Sequence, residues 1–216
     1  IILFLAILIA PLLANKFGID ISLIEPLLPI HILWVNLVTD SLPALALAVD
    51  PAEKDIMNRK PSKKEKGIFT KGMTWRIVYQ GLMIGLLTLA AFIIGLGTKN
   101  IPEVEGMTSQ EVRVSIAQTM AFIVLALSEL VHIFNIRNNS KSMFKTGIFN
   151  NGKLILAIAV SAGLMFIVLL IPSLRNIFRI VPMPVENIVE TICLVLAPAV
   201  IVEIFKLFKI NTIKGE

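Results

Sequence analysis

Apolar runs long enough to cross a bilayer set the limits on this fold. They lie near residues 1–14, 28–48, 76–97, 115–135, 153–172 and 187–205. A helix needs about 20 mostly apolar residues to span a hydrocarbon core about 30 Å thick, and all but the first run come close to that length. The first reads as a span cut short. Backbone amides in lipid must be paired within a helix or in a closed barrel, and the two-residue alternation of a barrel strand is absent. The sequence therefore predicts an all-α fold, a polytopic transmembrane helix bundle of about six spans with the first truncated. Composition agrees: 56% of the 216 residues are hydrophobic and 16% charged, with a mean hydropathy of +0.84, outside the usual range of water-soluble domains.

The net charge of +5 is better explained by membrane topology than by nucleic acid, because the basic residues form no amphipathic or aromatic-interleaved patch. They cluster between the apolar runs. Lys54, Arg59, Lys60, Lys63, Lys64, Lys66, Lys71 and Arg76 follow the second run, Arg137, Lys141, Lys145 and Lys153 the fourth, and Lys206, Lys209 and Lys214 the sixth. The alternate connections carry only Lys16, then Lys99 and Arg113, then Arg175 and Arg179. Short loops rich in Lys and Arg stay in the cytoplasm, so the first span runs outward and residues 49–75 form the largest cytoplasmic connection. Pro51, Pro61 and mixed charges make that connection irregular and solvated. The chain opens on Ile1-Ile2-Leu3-Phe4-Leu5-Ala6 without an initiating Met or a basic n-region, which fits a piece of a longer protein better than a signal peptide.

Soft-metal and redox chemistry have little to work with. The lone Cys193 supports no disulfide or paired-thiol site and reads as a small buried hydrophobe. His31 and His132 sit on different spans, so any metal bound here needs oxygen ligands. Gly81 and Gly85 form a G-x-x-x-G pair that would let two helices approach closely. Trp75 suits an interfacial anchor. Pro172, Pro182 and Pro184 bracket an outer loop, and Pro198 should bend the sixth span locally. His132 is expected at the cytoplasmic interface, and Glu190 and Glu203, close to the two ends of the sixth span, are expected to snorkel to the interface.

The second span holds Asn36-Leu37-Val38-Thr39-Asp40-Ser41-Leu42-Pro43. A carboxylate with two further oxygen-bearing side chains in lipid is costly unless something offsets it. The i, i+3, i+4 spacing of Asn36, Thr39 and Asp40 puts them on one face of a regular helix, and their oxygens suit a hard cation such as calcium. Pro43 lacks the N–H that would bond the Thr39 carbonyl and its ring crowds that carbonyl, so the helix should loosen there and offer backbone oxygens to a cavity. The competing reading is a polar helix contact with a packing kink, in which Asp40 is protonated or paired with a lysine. The fourth span adds Glu129 beside Ser128. At about 1.5 Å per residue, Asp40 lies roughly 3 Å and Glu129 roughly 6 Å to the cytoplasmic side of their span midpoints, so both carboxylates can reach one cation or neighbouring ones.

Leu33-Trp34-Val35-Asn36-Leu37-Val38-Thr39-Asp40-Ser41-Leu42-Pro43-Ala44, followed by Asp50-Pro51 and Asp55-Ile56-Met57-Asn58-Arg59-Lys60-Pro61, resembles the sixth transmembrane helix and following loop of endoplasmic-reticulum-type P-type calcium-transporting ATPases and their bacterial relatives. The resemblance extends through Thr119-Met120-Ala121 to Glu129 and covers essentially the whole chain. It implies that residues 1–216 are the C-terminal transmembrane domain of such a pump, from the end of its fifth helix to its tenth. It also implies that Asn36, Thr39, Asp40 and Glu129 are calcium ligands. The family's Asp-Lys-Thr-Gly-Thr phosphorylation motif and its Thr-Gly-Glu motif are absent from these residues. The expectation is therefore a membrane part with no catalytic or cofactor-binding residue of its own, and calcium as the transported ion. Mg-ATP would act only in the full-length parent, whose cytoplasmic and N-terminal transmembrane domains, with the lipid bilayer, would be the partners. A multi-pass protein of a bacterial cell membrane is the expected setting. The rival readings are a P-type pump for manganese, sodium or potassium, a secondary transporter or channel complete in this chain, and a stand-alone structural subunit.

Overall fold

The computed structural model describes residues 2–49, 71–137 and 151–207. Most of the basic connection 49–75 lies outside these residues, as do Lys141, Lys145, Lys209 and Lys214. Helix α1, Ile2–Phe17, stops where Gly18 takes φ 64. Glycine reaches that left-handed conformation without steric cost, and Ile19 then donates its N–H to the Ala14 carbonyl at 3.1 Å, the bond that closes a helix end of this type. Asp20 caps the following single turn, Ile21–Leu23, by accepting the Ser22 N–H.

Pro29, whose missing N–H costs nothing in a first turn, opens α2, Pro29–Trp34. A π-helical turn, Val35–Thr39, leads into α3, Ser41–Ala48. Together they make one membrane-length unit, Pro29–Ala48. Helix α4 is Lys71–Leu96. Helix α5, Ser109–Ile136, starts ahead of its apolar run because Thr108 and Glu111 close a capping box, each accepting the other's backbone N–H. Helix α6, Gly152–Leu170, is capped by Asn151, which accepts the Leu154 N–H. The loop between Pro172 and Pro184 holds a short helix, α7, Pro172–Ile177. Helix α8, Val185–Leu207, runs unbroken through Pro198. Among the described residues there are no strands, and five units are long and apolar enough to cross a membrane.

Helix α5 is the axis of the bundle. It packs on α4, α8 and the π turn, and Ile116, Met120, Phe122 and Val124 are fully enclosed. Phe4, Leu12, Leu156 and Leu170 stay on the outside, as a hydrocarbon solvent permits. Of the G-x-x-x-G pair, Gly81 faces open space, since a Cβ there would meet nothing, whereas a Cβ at Gly95 would sit 2.4 Å from the Ala117 Cα, a close approach of α4 to α5 that the pattern did not mark. Cys193 is exposed on α8 rather than buried, because that helix is apolar all round and only its packing decides which side is covered.

Candidate functional site

The site grows out of the proline. With no N–H at Pro43 the Thr39 carbonyl has no partner on the next turn, and the chain responds by widening the turn before it. Asp40 donates its N–H to Val35, five residues back, at 2.9 Å, and regular bonding resumes when Ala44 donates to Asp40 at 3.0 Å. The expected loosening is thus a π turn. Its carbonyls find other donors: the Ser41 hydroxyl bonds the Asn36 carbonyl at 3.0 Å, and the Ser161 hydroxyl of α6 reaches the Val38 carbonyl at 3.0 Å. Ser161 carried no signal beyond being one polar residue in an apolar helix.

The π turn brings Asp40 against Glu129, and the two carboxyl groups lie within hydrogen-bonding reach of each other. One Glu129 oxygen is buried without a hydrogen-bond partner among the described residues, and no described lysine or arginine is ion-paired with either group. Two carboxyls so placed either share a proton or, when both are ionised, need a cation between them. Thr39 is buried at 2% exposure, while Asn36 and Asp40 lie on the open side of the bundle. No three His, Cys, Asp or Glu side chains cluster among the described residues, so a cation here would take amide, hydroxyl or carbonyl oxygens beside the two carboxylates.

Below Glu129 the polar stripe continues along α5. His132 is 2% exposed instead of interfacial, because the C-terminal end of α5 is covered by α8. There Asn135 donates to the Ala199 carbonyl and accepts from Lys206 through its own carbonyl at 3.1 Å. Glu203 pairs with Lys206 at 3.3 Å, and Glu190 accepts from Asn187 at 3.2 Å.

A bundle of membrane-length helices, one of them opened by a π turn at a pair of facing carboxyls, defines an integral membrane protein with a candidate cation site. More narrowly, residues 24–208 match the family Cation transporting ATPase, C-terminus, and the chain belongs to that family. It is 40% identical to calcium-transporting ATPase 1 of Bacillus cereus over 93% of this chain and 24% of that protein. It is 41% identical to a calcium-transporting ATPase of Bacillus subtilis over 80% of this chain and 18% of that protein. An endoplasmic reticulum calcium ATPase of Aspergillus fumigatus is 31% identical over 74% of this chain and 18% of its own length. The chain thus spans a quarter or less of these relatives.

Proposed function

We propose that this chain is the C-terminal membrane domain of an ATP-driven pump that exports calcium from the cytoplasm, with residues 1–216 forming that domain and the basic connection 49–75 on the cytoplasmic side. In this reading Asp40 is the central anionic ligand, Asn36 and Thr39 supply amide and hydroxyl oxygens from the same turn, and Glu129 completes the site from α5. The observation that carries it is the meeting of Asp40 and Glu129 beside a π turn at lipid depth, an arrangement that a hard divalent cation makes tolerable. The relatives' names point to calcium, and the bacterial relatives to a bacterial cell membrane. Mg-ATP would be handled by the cytoplasmic part of the full-length protein.

Asp40→Asn in the full-length protein tests the assignment. Calcium-dependent phosphorylation by ATP is expected to disappear, and intact calcium dependence would defeat it. Isotope uptake with calcium, manganese, sodium and potassium in competition tests the cargo; preferential uptake of another ion would keep the site and change what it carries.

A further inference from the structure

His31 is fully buried at the head of α2, about one and a half turns from Asn36 and two or more from Thr39 and Asp40, and every polar atom of its ring is engaged. Nε2 lies 2.8 Å from the Phe178 carbonyl, and Nδ1 accepts the Leu28 N–H at 3.3 Å. A carbonyl only accepts and a backbone N–H only donates, so the ring carries its proton on Nε2 and presents a bare Nδ1. One of its faces is engaged as well. It stacks on Phe122 of α5 at 4.4 Å and 12°, and Phe178 lies near-parallel to both rings, 6.1 Å from the imidazole and 5.7 Å from Phe122, while Trp34 meets Phe178 edge-on at 5.3 Å. Phe178 is itself held in place: it ends α7 in a turn where Arg179 takes φ 51 and Ile180 donates to Arg175 at 2.8 Å. One imidazole therefore joins three separate pieces of the bundle.

Those pieces set the register of the cation site. His31 touches Phe122, and further along both helices Asp40 meets Glu129, so the two helices run in the same direction. From Phe122 to Glu129 is seven residues, about two turns and 10 Å of α5, which keeps both on one face. From His31 to Asp40 is nine residues, about two and a half turns of a regular helix, which would point Asp40 away from α5. The π turn absorbs part of that excess and rotates Asp40 back toward Glu129. Such a correction has meaning only if the start of the count is fixed, and the stacked, twice-bonded imidazole fixes it.

We infer that His31 is a positioning residue of the cation site, holding α2 in the register on α5 that lets the π turn bring Asp40 to Glu129. This rests on Asp40 and Glu129 being ligands. The test uses the full-length protein in membranes, reading ATP phosphorylation against calcium concentration for His31→Leu, His31→Gln and Asp40→Asn. Loss of the two ring hydrogen bonds in His31→Leu raises the half-saturating calcium by about tenfold while the maximal phosphorylation at saturating calcium is retained. His31→Gln, which keeps a donor and an acceptor, returns it to within about twofold. An unchanged half-saturation in His31→Leu, or a fall in maximal level with half-saturation unchanged, overturns the inference. Should His31→Leu fail to accumulate, Phe122→Leu removes the stacking surface and keeps both hydrogen bonds; it must raise half-saturating calcium about threefold, and no change there is equally fatal. If Asp40→Asn keeps its calcium dependence, the ligand assignment itself has failed whatever the His31 variants do.

Discussion

At the scale of single residues, the Asp40–Glu129 pair makes a prediction that separates a shared cation site from two unrelated polar residues. If both carboxyls act on one ion, removing either charge removes most of the attraction, and the second removal has little left to take. Glu129→Gln is therefore expected to lower calcium affinity at least about tenfold. The double variant Asp40→Asn, Glu129→Gln should bind no more weakly than the worse single variant, as measured by calcium binding to the full-length protein. Strictly additive losses would mean separate sites. Ser161 offers a gentler probe. Its hydroxyl is the donor for the Val38 carbonyl in the π turn, and interhelical hydrogen bonds in membranes are worth about 0.6 kcal/mol, up to about 1.7. Ser161→Ala should therefore weaken calcium binding by a factor of about three, and by no more than about twenty; an unchanged affinity would show that the π turn holds its shape without α6.

At the scale of helices, the sequence was most legible where composition alone decides the outcome. Apolar length located the membrane helices, and Pro43 located the opened turn, because a missing N–H acts on one known carbonyl wherever the helix is packed. Asp40 and Glu129 stood out because ionisable groups in lipid need a reason. Sidedness was not legible. Helices that are apolar all round carry no stripe to say which face meets a neighbour, so the contact glycine, the exposure of Cys193 and the burial of His132 had to come from packing. The register between two helices was equally hidden, since it depends on a stacking contact between residues 91 positions apart, His31 and Phe122. The glycine outcome makes a direct prediction. Any side chain at Gly95 forces α4 from α5, because its Cβ would stand 2.4 Å from the Ala117 Cα. Overpacking of this kind costs about 1–3 kcal/mol. Gly95→Val should lower the detergent-solubilised melting temperature of the full-length protein clearly, whereas Gly81→Val, with open space around it, should leave it nearly unchanged. The opposite order would show that α4 packs through its first half.

At the scale of the whole molecule, two physical rules must agree for the proposed direction of transport. Basic residues fix which ends of the helices lie in the cytoplasm, and the parallel run of α2–α3 and α5 puts the facing carboxyls toward that same side of the spans. An ion arriving from the cytoplasm then has the shorter path to Asp40, while the His31 clamp and the α7 turn lie on the outer half of the bundle. Reversing the topology would reverse both at once, so orientation can be tested without measuring transport. Glu105, in the connection between α4 and α5, and Lys153, in the first turn of α6, are both exposed and belong to opposite sides in this scheme. In a full-length protein stripped of its other cysteines, Cys193 included, a Glu105→Cys variant in intact cells should react with a membrane-impermeant maleimide. A Lys153→Cys variant should react only after the cells are opened. The reverse pattern would place the carboxyl pair nearer the outer surface, so that a cation reaching Asp40 from the cytoplasm would first have to pass the whole half of α5 that precedes Phe122, the longer of the two paths to the site.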